Sequence, residues 1–268
     1  MEHMMLARQL EALARRAGAA LPKGPAALQV EDKSGKANYV TDYDRQTQQL
    51  LFAECLALVP DALMIGEESF ETGGRLPDPA LAARSFIIDP IDGTTNFIRG
   101  DRHSGISIAY LENGIVCVGV VYDPWQDECF AAVRGQGAWV NGVPMHTANA
   151  DLTHCLLSFG SSPYYPELQR ISFAALQAVF GSIADVRRSG SAALDLAYVA
   201  SGRTDAFFEM RLSPWDVAAG SLLVQEAGGL VTDVQGGPLR LDAPGSLLAA
   251  STSVYEAIKA AIGSVREA

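Results

Sequence analysis

The chain has 268 residues, 49% hydrophobic and 19% charged, and its 31 Asp and Glu against 20 Lys and Arg leave a formal charge of −11. That composition belongs to a globular protein able to bury a large core. An acidic chain without a basic run argues against binding a phosphate backbone, so no direct nucleic-acid partner is expected.

The N-terminal segment places Leu6, Leu10, Leu13 and Ala17 on one helical face, with Arg8, Glu11 and Arg15 elsewhere. This is the pattern of an amphipathic helix rather than a signal peptide, and Pro22 and Pro25 end it. Residues 42–58 read as a second helix with Asp42 as N-cap and Leu50, Leu51, Ala53 and Leu58 among its apolar positions. A loop-rich stretch carrying Glu67, Glu68 and Glu71 follows, then an apolar strand over 85–89. Residues 104–123 read as two strands joined at Asn113-Gly114, and a further strand over 129–133 and the turn at Asn141-Gly142 continue an antiparallel meander. Beyond about residue 150 strands and helices alternate: a strand near Cys155, helices over 166–180 and 191–202, a strand over 205–210 and a helix over 214–227. Two strands, 229–234 and 246–251, and a final helix from about 253 complete the pattern. The reading is an α/β chain of mixed layers. A sub-region over 1–150 and another over 151–268 join through short connections into one unit, 1–268.

None of the four cysteines, Cys55, Cys117, Cys129 and Cys155, forms a C-x-x-C pair, and each lies in an apolar segment. Buried thiols in a reducing cytoplasm are expected. The four histidines show no ligand spacing, so no zinc site is expected. No stretch reaches the roughly 18 apolar residues of a membrane helix.

The segment Ile88-Asp89-Pro90-Ile91-Asp92-Gly93-Thr94-Thr95-Asn96-Phe97 is the most informative. An apolar strand runs into two carboxylates, and Pro90 is expected to end the strand at Asp89. Gly93 permits a tight turn, and a helix starting near Thr94 would leave backbone N–H groups for an anion. Two carboxylates beside an anion-accepting turn suit a hard cation between them, such as Mg²⁺, although the same residues also suit a plain surface turn. In a second segment, Ser213 and Pro214 open a helix with Asp216 in its first turn, which equally fits an ordinary dipole-stabilised acid. Gly66-Glu67-Glu68-Ser69 reads as a solvated acidic loop or as a further ligand donor, and Val40-Thr41-Asp42-Tyr43-Asp44 as helix capping.

Together VTDYD (40–44), GEES (66–69), IDPIDGTTNF (88–97) and PWDVAAGSLLVQEAGG (214–229) resemble the inositol monophosphatase family, within the wider group of Mg²⁺-dependent, lithium-sensitive phosphatases. The order and spacing match over nearly the whole chain. The resemblance implies the αβαβα sandwich of inositol monophosphatases and fructose-1,6-bisphosphatases, a homodimer, and hydrolysis of inositol monophosphate or a similar polyol or sugar phosphate. It also implies two or three Mg²⁺ ions. Glu67, Asp89 and the Ile91 carbonyl would hold the first ion and Asp89, Asp92 and Asp216 the second, with Glu67 positioning a third through water. Thr94, polarised by Asp44, would orient the attacking water with Glu67. The N–H groups of Gly93 and Thr94 would receive the phosphate, and Lys33 would stand on a nearby loop. Gly190, Ser191, Ala192 and Glu209 would line the sugar pocket together with Asp92 and Asp216.

One departure is Ile98-Arg99-Gly100-Asp101-Arg102-His103, where Arg102 replaces the family's proline. This would either change the loop geometry or, with two arginines near the site, favour a substrate with a second anionic group. Fructose-1,6-bisphosphatase or histidinol-phosphate phosphatase activity on the same site therefore stays open. So does a regulatory binding role, as in bacterial family members acting in transcription complexes. In a nucleotide-phosphatase branch a lysine would stand at Thr95.

Overall fold

A computed structural model describes residues 1–22, 30–32, 39–70 and 76–265. The N-terminal amphipathic segment forms α1 (Glu2–Ala19), and its apolar stripe at Leu6, Leu10, Leu13 and Ala17 is buried. A short antiparallel pair, β1 (Val30–Asp32) and β2 (Tyr39–Thr41), leads into α2 (Asp42–Leu58). The N-cap of α2 is Thr41 rather than Asp42: the Thr41 hydroxyl accepts from the Tyr43 and Asp44 N–H groups, and Asp44 accepts the Thr41 N–H in return. Leu50 and Ala53 are exposed, against expectation, because α2 buries Asp44, Thr47, Gln48, Leu51 and Cys55 instead. The polar end of that stripe faces the cleft described below.

The large sheet has the order β3 (Leu63–Gly66), β4 (Arg84–Asp92), β5 (Gly105–Glu112), β6 (Ile115–Asp123), β7 (Glu128–Val133), β8 (Gly137–Val140), β9 (Val143–Pro144). Its β3–β4 pair is parallel and every later pair antiparallel. A short helix, α3 (Thr94–Arg99), leaves the end of β4. Asn113 and Gly114 take φ of 49° and 78°, as do Asn141 and Gly142 at 49° and 79°, which is the positive-φ pair that two-residue hairpins need. Strand β4 does not stop at Asp89. Pro90 cannot donate to the ladder, so the pairing with β5 shifts register between Asp89 and Asp92 and the strand resumes.

The second sheet follows. It is built from β10 (Leu156–Phe159), α4 (Gln169–Phe180), β11 (Asp185–Arg187), α5 (Ala192–Ala200), β12 (Ala206–Leu212), α6 (Pro214–Glu226), β13 (Leu230–Thr232), β14 (Gly245–Ala250) and α7 (Tyr255–Gly263). Its strand order is β11-β10-β12-β14-β13, with β10 parallel to both neighbours and β14 antiparallel to both of its own. Helices α1 and α2 cover one face of the large sheet, α5 and α6 fill the space between the sheets, and α4 and α7 cover the far face of the smaller one. This is the αβαβα arrangement that the family resemblance implied.

Strand alternation sorts residues between the layers. On β4, Phe86 and Ile88 face α1 and α2 while Ile87 faces α5 and α6. Asp89 continues the inward side of Ile87. On β12, Phe207 faces inward and Phe208 outward, so Glu209 shares the inner side. The central helices approach closely because small residues let them. A Cβ on Gly119 of β6 would lie 2.6 Å from the Ala219 carbonyl oxygen of α6, and one on Gly220 would lie 2.6 Å from Leu196 of α5. Among the described residues no helix is long and apolar enough to cross a membrane.

Candidate functional site

The carboxyl ends of the parallel strands β3 and β4 and the amino ends of α5 and α6 meet at one cleft of about 650 Å³. Glu67 begins the turn after β3, and Gln48 of α2 fixes that turn by accepting the Glu68 N–H at 2.9 Å and donating to Ser69 at 3.0 Å. Asp89 and Asp92 come from β4 and Asp216 from the first turn of α6. One oxygen of each of these three aspartates lies within 4.8 Å of the others.

Each aspartate is held through its other bonds. Asp89 Oδ1 accepts the Ile91 N–H at 3.0 Å, and Asp216 Oδ2 accepts the Ser213 N–H at 2.7 Å as half of a capping box. Asp92 Oδ2 takes the Ser191 hydroxyl at 2.5 Å and the Ala193 N–H at 2.7 Å. Among the described residues the second oxygen of each makes no hydrogen bond. Three buried or half-buried carboxylates so arranged resist ionisation. Burial first, then Glu67 and the neighbouring aspartates, raise Asp89 well above the usual carboxylate range. Burial, then Asp92 and Glu67, do the same to Asp216. Burial also pushes Asp92 up to about 6 although Ser191 and Ala193 oppose the rise. A donor set of oxygens that repel one another suits a hard divalent cation.

Gly93 caps α3 with φ of 88°, and a Cβ there would lie 3.0 Å from the Gly190 carbonyl oxygen, so backbone geometry and space both require glycine. Thr94 Oγ1 lies 3.3 Å from Asp44 Oδ1 and 3.2 Å from the Ile91 carbonyl oxygen. Asp44 is fully buried and also accepts the Thr41 N–H at 2.7 Å, so it caps α2 and reaches Thr94 at once. Asn96 donates to the carbonyls of His103 at 2.7 Å and Ser189 at 2.8 Å, tying the turn after α3 to the loop that opens α5.

Gly190, Ser191, Ala192 and Glu209 all line the same cleft. Glu209 is buried and accepts the Ser162 N–H at 2.7 Å; burial pushes it up to about 7. Lys33 lies outside the described residues.

Two expectations change. Arg99 and Arg102 are exposed and do not line the cleft; α3 ends at Arg99 and the chain turns outward at Gly100 in the left-handed region. The arginines that do line it are Arg188 and Arg211, from the other end of the chain. Asp195 was also not foreseen. It is a lone carboxylate in the apolar run of α5, buried in the cleft wall, taking the Ser189 hydroxyl at 2.5 Å and pushed up to about 7 by burial. An acid inside an apolar helix was its only signal. The cysteines are free and buried as expected. His3, Glu112 and Cys117 also fall within reach of one another, but Glu112 is already engaged by His3 and Tyr110 at 3.0 Å each.

In this five-layer scaffold, carboxylates from both halves of the chain meet over a glycine-capped turn, an arrangement that suits a hard cation. Residues 4–267 match the model of the inositol monophosphatase family, and the chain belongs to that family. It is 41% identical over 249 residues to the Nus factor SuhB of Pasteurella multocida (strain Pm70), covering 91% of each chain. It is similar to the structure of the extragenic suppressor protein suhB from Bartonella henselae, with TM-score 0.88 and 35% identity over 98% of this chain and 100% of that one. The inositol monophosphatase of Anabaena (Nostoc) sp. PCC 7120 is similar at TM-score 0.83 and 32% identity, covering 99% and 98%.

Proposed function

We propose that the chain is a Mg²⁺-dependent phosphomonoesterase acting on inositol monophosphate or a similar small polyol or sugar phosphate. The observation that carries this reading is the convergence of Asp89, Asp92 and Asp216 oxygens within 4.8 Å beside Thr94 and the Gly93 turn. Asp89, Asp92 and Asp216 would hold one ion, and Glu67, Asp89 and the Ile91 carbonyl another, for two or three in all. Divalent ions bound there supply positive charge to phosphoryl oxygens and lower the pKa of water.

The chain's own groups do the rest. The Thr94 hydroxyl has one proton, directed to Asp44 or to the Ile91 carbonyl, so its lone pairs can accept from a water molecule. Glu67, lining the same cleft, helps orient that water. The Gly93 and Thr94 N–H groups at the start of α3 meet phosphate oxygens. Glu209 offers carboxylate oxygen to substrate hydroxyls, and Ser191 and Ala193 hold Asp92 in place for the substrate as well as for the ion. Catalysis of this kind depends on positioning and electrostatics more than on covalent chemistry. A homodimer belongs to the same reading and is checked by light scattering.

The experiment is phosphate release over a panel of phosphate esters with and without Mg²⁺. Metal-dependent turnover of a polyol or sugar monophosphate is expected. The identity to a protein named Nus factor SuhB favours a second reading, a regulatory binding role on the same fold. No turnover of any ester would overturn the enzyme reading and leave the binding role.

A further inference from the structure

The cleft floor is acidic, yet its wall carries two guanidinium groups. Arg211 stands two residues after Glu209 on β12, and Arg188 follows β11 just before the Gly190 turn; both line the cleft. Most described arginines sit against a carboxylate, as Arg187 does with Asp185 at 2.7 Å and Arg203 with Glu128 at 2.6 Å. Among the described residues Arg188 and Arg211 have no carboxylate within ion-pair distance. Arg211 is braced instead over the Tyr165 ring, 4.7 Å from its centroid, which fixes the guanidinium without neutralising it. Arg188 reaches Asp92 and Glu209 through space, opposing the rise that burial causes in each. Both arginines are therefore neighbours of Glu209: Arg211 shares its strand, and Arg188, whose guanidinium would lie 2.7 Å from a Cβ on Gly190, acts on its carboxylate through space.

A neutral polyol needs hydroxyl partners there, and Glu209 supplies one. Two guanidinium groups with no ion-pair partner among the described residues suit something else. The guanidinium fork matches a carboxylate or a phosphate with paired hydrogen bonds. We propose that Arg188 and Arg211 recognise a second anionic group, phosphate or carboxylate, on the leaving-group part of the substrate. The preferred substrates are then sugar bisphosphates or phosphorylated hydroxy acids rather than neutral polyol monophosphates. This inference rests on the phosphomonoesterase reading and moves its preferred substrate from a neutral polyol phosphate to a doubly anionic ester. It differs from a purely internal role for the arginines, in which they would only offset Glu209 and Asp92 and would affect every substrate alike.

The test is steady-state phosphate release by the full chain at saturating Mg²⁺. The substrates are fructose 1,6-bisphosphate, 3-phosphoglycerate, myo-inositol 1-phosphate and β-glycerophosphate, with wild type, R211Q, R211K and R188Q. Wild type should prefer one of the doubly anionic esters, and which one identifies phosphate or carboxylate as the second group. R211Q and R188Q should each lower the ratio of kcat/KM for that ester to kcat/KM for β-glycerophosphate by roughly tenfold or more, chiefly through KM. R211K should retain part of the ratio. Both side chains are exposed, and melting curves check that the variants fold. Equal losses on all four esters, or a wild type without preference, would overturn the inference and leave the phosphatase standing. No turnover of any ester would remove the phosphatase reading and the inference with it.

Discussion

Ser191 donates its hydroxyl hydrogen to Asp92 Oδ2 at 2.5 Å across 99 residues of sequence, while the same oxygen atom of Ser191 caps α5 by accepting the Leu194 N–H. One side chain thus starts a helix and orients a carboxylate of the cluster. Ser191→Ala should cost about 1 kcal/mol of stability through the lost cap. It should weaken Mg²⁺ activation by roughly 10–100-fold, the usual cost of losing a partner that orients a ligand. Denaturant unfolding and a Mg²⁺ titration of activity measure the two effects separately. An unchanged half-saturating Mg²⁺ concentration would separate Ser191 from the metal site.

Asp216→Asn keeps an oxygen for the Ser213 N–H but removes one of three crowded charges. The metal-free variant should melt higher than the metal-free wild type at pH 8, by about 2–4 °C for each kcal/mol of repulsion relieved in a chain of this size. Saturating Mg²⁺ should raise the wild-type Tm and leave the variant nearly unmoved. Calorimetry with and without Mg²⁺ checks both, and a wild-type Tm indifferent to Mg²⁺ counts against the metal site.

The pH dependence of the metal-free protein follows from the same crowding. Asp92 is raised to about 6, and Asp195 and Glu209 to about 7, all mainly by burial, with Asp89 and Asp216 raised as well. An acid whose folded pKa is raised binds its proton more tightly when folded. Stability from these groups is therefore fully present below about 4, the ordinary carboxylate value, and is lost as pH rises through about 7. Exposed acids held low act in the opposite sense below that window, as with Asp151, lowered to about 2 by Thr153 and His154. Metal-free Tm should fall between pH 5 and pH 8, and saturating Mg²⁺ should flatten that fall. Thermal melts in matched buffers decide it; a metal-free Tm that rises over this interval would refute the assignment.

Glu209 is the cleft's acceptor for substrate hydroxyls in the proposed reading. Glu209→Gln keeps the shape and an oxygen for the Ser162 N–H, but replaces an all-acceptor group with a mixed one. It should lower kcat/KM for inositol 1-phosphate about tenfold and affect a small aryl phosphate less. Equal losses on both would withdraw the role.

Much of this arrangement is visible in the sequence where local chemistry and periodicity coincide. The α1 stripe, the two Asn-Gly hairpins and the Ser213-Pro214 helix start each carry their own signal, and the structure places them accordingly. The expectation for Pro90 failed because a register shift lets a strand carry a residue without an N–H. The exposure of Leu50 and Ala53 was hidden because α2 turns Asp44 and Gln48 inward to support the cleft, so the buried face is partly polar and the apolar count misleads. Proximity of Arg99 and Arg102 to the motif suggested closeness to the site, yet the reversal at Gly100 sends them outward. Arg188 and Arg211 reach the cleft only because β11 and β12 are assembled into the second sheet, and no local pattern marks them.

Helix α6 lies in the middle of the molecule but near the end of the chain. Ribosomal synthesis completes the seven-stranded sheet long before Asp216 leaves the exit tunnel, so the inner face of β5 and β6 waits without its α6 cover and the aspartate cluster lacks one wall. A nascent chain stopped short of residue 214 therefore carries Asp89 and Asp92 without their third member. On the proposed reading, a chain truncated before residue 214 should therefore bind Mg²⁺ more weakly than the full chain, because the three-aspartate cluster forms only once α6 has packed.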